Sequence, residues 1–357
     1  MLRQKRSSAT LISAFAFILA VSLPSASAGA ASSRGSVPKP PASRPAPPDV
    51  EILGSNLIDL ASAYRLYMNR TSGVTPAFPD GASIASSLQV GAGYEPKQLL
   101  RGAIAYGAVV ALQDPAFVAG VRSYGAGVSE RRAIAYEIMR NPNYALALNG
   151  ASSAAGLVQQ ALASDGQGLY DNGKAVKQSA YDIQKQDWSK ASILDREGRL
   201  ANAKVLSSTP LTGDPAEGMR LRQASKGTVS LGLSTSLASQ PYSPAVARSL
   251  AIAALGLLGE ASDANTETLL AVMAEPNIGF CLSLAKLNLY QCLAVAKPHY
   301  EDVFCLGQHA MMDTGRCLIK AAGRPEPFEA KFVPVVNASH GYVVKKKVVK
   351  KKLGKKR

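Results

Sequence analysis

The chain has 357 residues, 47% of them hydrophobic and 18% charged, with a formal net charge of +15. That apolar content is ample for a packed core and excludes a wholly disordered protein. The charge excess sits at the two ends: Arg3, Lys5 and Arg6, then Arg34, Lys39 and Arg44, then nine Lys or Arg after residue 344. Residues 49–342 hold 25 basic and 25 acidic side chains, so the body is neutral and its charge argues against a nucleic-acid-binding domain.

Residues 1–28 have the order of a secretory signal peptide. Three cations precede a 14-residue apolar run at 10–23, and Pro24 and Ala26-Ser-Ala28 supply a breaker and a cleavage site. The run is short of the ~20 residues a membrane-spanning helix needs. No cysteine lies near the cleavage site, which argues against a lipoprotein anchor. The expected product is exported to the periplasm or the outside, peripherally associated with the envelope. Residues 29–48 carry six prolines and read as an extended linker.

Regular structure is expected from residue 49, with an N-terminal helical domain at 49–207. Leu57, Leu60, Ala61, Tyr64 and Met68 recur at helical steps, 72–83 reads as a loop, and Pro96 opens a helix running to Leu112. Ala103-Ile-Ala-Tyr106 recurs as Ala133-Ile-Ala-Tyr136, each followed by a Pro-marked turn, a faint 30-residue echo. The longest helical pattern covers 152–190, on a seam of Val158, Leu162, Leu169, Val176, Ala180 and Ile183 that Gly166, Gly168 and Gly173 weaken. Trp188 is expected to anchor that helix in the core. A Ser/Gly/Pro-rich connection at 208–243 contains one candidate strand, Val229 to Leu233. A C-terminal helical domain at 244–323 follows, then an extended segment and Lys-rich tail at 324–357. Its greasiest stretch, 250–258, reads as a buried helix, and no segment of the mature chain is expected to span a bilayer. The class is all-α, a multi-helical bundle or irregular helical array with disordered N- and C-terminal extensions.

Export allows the four cysteines to be read as disulfide partners. Cys281 and Cys292 are 11 residues apart, close to three helical turns, and so share a face. They cannot bond each other while helical, because a disulfide needs Cα atoms within ~7 Å. Pro298 supplies a turn, and the midpoints of Cys292/Cys305 and of Cys281/Cys317 both fall there. A disulfide-stapled antiparallel hairpin with nested bridges, Cys292–Cys305 and Cys281–Cys317, follows. The spacing resembles the twin-cysteine helical hairpins of small oxidised intermembrane proteins, with longer gaps. One point strains it: twelve residues rotate an ideal helix ~120° past whole turns, so Cys305 and Cys317 should not share a face. A break at Thr314-Gly315 is the expected remedy.

Candidate chemistry is sparse. His309 and Asp313, one helical turn apart with Met311 and Met312 between, offer too few ligands for a metal, and the expectation is a buried His309 bonded to Asn288. His299, Glu301 and Asp302 read as helix-start chemistry. Ser283-Leu-Ala-Lys286 matches the Ser-x-x-Lys of penicillin-binding enzymes, but Lys-Thr-Gly is missing. Asp182, Asp187, Glu197 and Glu217 are acids from which a hydrolase pair could be drawn, without a pattern to select two. No catalytic residue, metal or cofactor is assigned. The tail has more pattern: Lys345, Lys346, Lys347, Lys350, Lys351, Lys352, Lys355, Lys356 and Arg357 fall in three related pentads without aromatics. Such a block suits anionic envelope polymers or lipid headgroups better than specific nucleic acid, with protein partners as a further expectation. The expected function is a non-enzymatic envelope scaffold or binding protein. The alternatives are an envelope (peptidoglycan-type) hydrolase with an unidentified carboxylate pair, and a helical-repeat interaction module.

Overall fold

A computed structural model describes residues 51–329, apart from 125–126, 235–237 and 239. The expected signal peptide and linker, and the basic tail, lie outside the described residues. Fourteen α-helices are seen among the described residues, and no strand; the only β pairing there is an isolated bridge between Ser192 and Pro298. The expected strand at Val229 to Leu233 does not form.

Helix starts follow a local rule. Glu95, Asp114, Asp214, Ser243 and Glu275 each accept a hydrogen bond from a first-turn N–H of the helix that follows, and each is followed by proline at the first helical position. The side chain satisfies an orphan donor, while proline has no N–H to leave orphaned and its φ is already helical.

The first helices are α1 (Ser55–Ser72), α2 (Gly81–Ala92) and α3 (Pro96–Ala111). α3 is buried almost throughout from Leu99 to Ala111. It crosses α1 at Gly102, where an added Cβ would meet Leu60 O at 2.6 Å. α4 (Pro115–Ser123) and α5 (Val128–Arg140) lead through a 3₁₀ turn to α6 (Ala151–Ile183), 33 residues long. The seam residues expected on α6, Val158 through Ile183, are all buried. Trp188, on the single turn α7 (Asp187–Lys190), is only half-buried. It packs at the rim of the core beside His299, at 6.4 Å between rings, rather than inside it. The two copies of the Ala-Ile-Ala-Tyr echo occupy unlike places: Tyr106 is buried, while Tyr136 on α5 is exposed.

α8 (Arg196–Ser208) and α9 (Pro215–Ser225) follow, the latter inside the stretch expected to be an irregular connection. α10 (Pro244–Leu257) is the buried apolar helix that was expected, with Leu250 to Leu255 fully enclosed. α11 (Thr266–Val272) and α12 (Pro276–Val295) lead to the Pro298 turn. The last helix runs unbroken from His299 to Ala321, as α13 (His299–Cys305), a π-helical stretch (Leu306–Asp313) and α14 (Thr314–Ala321). One apolar cluster extends from Leu53 to Ala322, with residues of α3, α6, α10 and the last helix in it.

Candidate functional site

The hairpin has the expected pairing. Cys281–Cys317 and Cys292–Cys305 are bonded, with Cα separations of 5.8 and 5.7 Å. The rotational misfit is resolved without the expected break at Thr314-Gly315. The π stretch between Cys305 and Cys317 takes up an extra residue, which turns everything after it back by ~100°. Twelve residues then behave as eleven, and the two half-cystines face α12 in step with Cys281 and Cys292.

The same insertion sets a second register. α6 runs against the last helix, and glycines meet at both crossings. A Cβ on Gly173 would lie 2.9 Å from Gly307 O and 2.8 Å from Met312 N; one on Gly166 would lie 3.0 Å from Gly315 O and 2.8 Å from Ile319 N. Gly166 and Gly173 are seven residues apart, Gly307 and Gly315 eight. With one residue absorbed in the π stretch, eight matches seven. Two of the glycines expected to weaken α6 are thus where the backbones approach; Gly168 has nothing within 4 Å.

Beside this seam lies a polar cluster assembled from distant parts of the chain. Asp313 accepts from His309 Nδ1 (2.8 Å), Gln308 Nε2 (3.0 Å) and Arg316 Nη1 (3.0 Å). Lys177 Nζ donates to Gln308 Oε1 (2.8 Å) and Glu329 Oε1 (2.6 Å), and Arg316 Nη2 to Glu329 Oε2 (2.7 Å). Partial burial would raise the Glu329 carboxyl, but Lys177 and Arg316 outweigh it and hold it below the usual range. His309 therefore bonds Asp313, not Asn288, because both lie on one face of their own helix a turn apart. The cluster's charges satisfy one another and fasten the chain at 329 to α6 and α14. No group of three or more His, Cys, Asp or Glu suited to a metal exists among the described residues.

Ser283 and Lys286 are not brought together. Ser283 is exposed and donates to Gly279 O (2.8 Å). Lys286 is buried and turned inward, donates to Ala92 O (2.6 Å) at the end of α2, and lies 3.4 Å from the Tyr94 ring centroid. Burial holds its ammonium well below the ordinary lysine range, against a smaller upward pull from Glu95. The candidate carboxylates are scattered as well. Asp182 accepts from Gln178, Asp187 pairs with Lys190, Glu197 is exposed on α8, and Glu217 pairs with Arg220. Of those four, only Glu217 shares a cation with a second acid among the described residues: Arg65 lies 4.0 Å from it and 2.9 Å from Asp165, with the Tyr64 hydroxyl donating to Asp165. Asp165 was not among the acids singled out from the sequence.

α12 is tied down at its end by other helices. Arg196 donates to Ala296 O (2.8 Å) and Ala294 O (2.9 Å), and Arg199 to Leu293 O and to Asp302. Carbonyls that a helix terminus leaves unpaired are thereby satisfied by cations. Burial raises the Asp302 carboxyl, partly offset by Arg199. The other face of α12 is unpartnered among the described residues: Phe280, Leu284, Leu287 and Val295 are exposed. By length and composition α12 could cross a bilayer, with 20 residues and a mean hydropathy of 1.4, although a third of it is buried in the fold. A scan for unbroken apolar runs misses it, because Ser283, Lys286, Asn288 and Gln291 interrupt the sequence.

Among the grooves of the described residues, two differ in character. One of 390 Å³ sits at the Val295 end of α12, walled by Tyr181, Tyr300, Phe304 and the Cys292–Cys305 bridge. One of 670 Å³ lies between α1, α3 and α9 and mixes Asp59, Arg101, Asp214 and Arg222 with Met219. The nine basic residues predicted as an anion-binding surface, Lys345 to Arg357, lie outside the described residues. No protein-family model, curated protein or solved structure matches this chain.

Proposed function

We propose that this protein is exported and acts as a non-enzymatic binding or scaffolding protein at the cell envelope, its C-terminal basic segment holding anionic components there. The observation that carries this reading is the segregation of charge: a neutral body followed by nine cations and no acid in the last 13 residues. Near an anionic surface each cation contributes up to about 1 kcal/mol, so nine are ample for salt-sensitive docking. Two disulfides with no cysteine left over accord with an oxidising compartment. The test is fractionation of the native protein with and without high salt, beside a chain lacking residues 345–357. The full chain should sediment with envelope fragments at low salt and be released as salt rises. Equal sedimentation of the shortened chain would defeat the reading, as would a cytoplasmic product retaining Met1.

A further inference from the structure

The face of α12 turned to solvent is unusual for a surface helix. Phe280, Leu284, Leu287 and Val295 recur at steps of four, three and eight residues, which lie within one side of a helix. Their exposures are 70%, 42%, 48% and 73%. The only charged residue in α12 is Lys286, and it is buried on the opposite face. The exposed face therefore carries no charge over its ~30 Å length. Leu194, fully exposed, follows Ile193, whose N–H bonds Lys297 O just past the Val295 end. The groove walled by Tyr181, Tyr300 and Phe304 opens at the same end.

We infer that this face is a bilayer-docking surface: α12 lies in the plane of an anionic phospholipid membrane with Phe280, Leu284, Leu287 and Val295 sunk among the acyl chains. The inference rests on the envelope reading above and names the anionic partner as lipid rather than polymer. A bilayer suits the face because α12 itself brings no charge to it, and because the rest of the chain supplies the complementary signal. The described residues end at Glu329, pinned to Lys177 and Arg316, and Lys345 follows 16 residues later. That length reaches up to about 50 Å, more than the length of α12, so the nine cations can meet headgroups in the plane the helix occupies. Stable attachment generally takes two such signals, a shallow apolar insertion and a polybasic segment. The nested disulfides and the arginines at its end hold α12 rigid while one side is out of water.

The test uses the full mature chain, vesicles of phosphatidylcholine with phosphatidylglycerol, and polyphosphate as a soluble polyanion. The doubly substituted Leu284→Gln/Leu287→Gln chain should keep the wild-type melting temperature, and its vesicle affinity should fall on the order of a hundredfold. Wild-type protein should stay partly bound to vesicles in high salt, and the variant should wash off. A tryptophan reporter, Leu284→Trp with Trp188→Phe, should shift to the blue with vesicles and not with polyphosphate. Unchanged vesicle binding by the Gln variant overturns the inference and leaves the tail reading standing. Equal binding after deletion of 345–357 overturns the tail reading and leaves α12 standing. A wild-type dimer that the Gln substitutions dissociate assigns the face to a second copy instead. A reporter already blue in solution, turning red when 330–344 is removed, assigns it to the chain's own segment; either result overturns the inference.

Discussion

α10 and α12 are the two most apolar long helices that follow residue 240, and they have opposite fates. α10 is enclosed on every side, with eleven of its residues buried. α12 has 20 residues but buries only Ile278, Leu282, Ala285, Lys286, Leu289 and Leu293. Apolarity alone thus does not decide burial. α10 is held by what surrounds it. α12 is held at points: two bridges to the last helix, arginines on its end carbonyls, and Lys286 reaching the end of α2.

The contrast can be broken hardest at the bridges. Opening both by reduction should cost roughly 5 kcal/mol, at ~2–4 kcal/mol each, and the 36-residue outer loop should matter more than the 13-residue inner one by about 1 kcal/mol. Hydrogen exchange should then rise across α12 before α10 responds; simultaneous loss in both would show that the helices are not held differently.

Truncations sharpen the same contrast. Ile252→Ala in α10 and Leu289→Ala on the inner face of α12 should each lose ~2–5 kcal/mol by chemical denaturation, whereas Leu284→Ala should stay within about 0.5 kcal/mol. A costly Leu284→Ala would mean the outer face is covered.

Next come the glycines beneath the last helix. Gly173→Ala forces a Cβ against backbone atoms and should cost ~1–3 kcal/mol; Gly168→Ala, with open space, should gain up to about 1 kcal/mol from helix propensity. A reversed order would refute the close crossing.

The smallest effect concerns Lys286. Its folded pKa is below its unfolded one, so between the two the unfolded chain binds a proton that the folded chain lacks. Stability from this group therefore rises with pH across that window and levels off near the ordinary lysine value of ~10.4. Tyr64 and Tyr67, both raised well above their usual value by burial, act the other way from about pH 10 upward, where the unfolded tyrosines begin to ionise, and cap the rise there. Melting temperature followed from neutral to alkaline pH should climb less in Lys286→Met than in wild type. Parallel curves would place the amine in water.

Much of this was legible in the chain. The cysteine pairing follows from a shared midpoint at Pro298, and the α6 seam and α10 from periodicity and composition. Polar-then-proline pairs such as Glu95-Pro96 and Asp214-Pro215 mark helix starts, although α9 was overlooked because its flanks are rich in Ser, Thr and Gly. The rest was hidden for physical reasons. A glycine in a helix reads as a weakness until the partner backbone against it is known, as at Gly173. The Lys177–Glu329–Arg316 cluster joins residues up to 152 positions apart, which no local pattern announces. His309 was assigned to Asn288 across the hairpin although Asp313 lies a turn away on its own helix; the spacing was visible, but nothing local shows which of two polar neighbours takes the bond. The exposed side of α12 escaped notice because both sides of that helix are greasy, and periodicity distinguishes faces only when they differ.

The extra residue in the last helix makes chain length a phase variable. Because twelve residues there behave as eleven, loss of one residue between Leu306 and Asp313 would close the π stretch to plain α-helix and leave Cys317 and Gly315 in phase, whereas gain of one more would swing both by ~100°, parting a bridge and a backbone crossing in one step. A further single-residue insertion is therefore far less tolerable here than a single-residue gap. Relatives of this protein that keep both bridges should either retain this length to the residue or be one residue shorter, with plain α-helix in place of the π stretch.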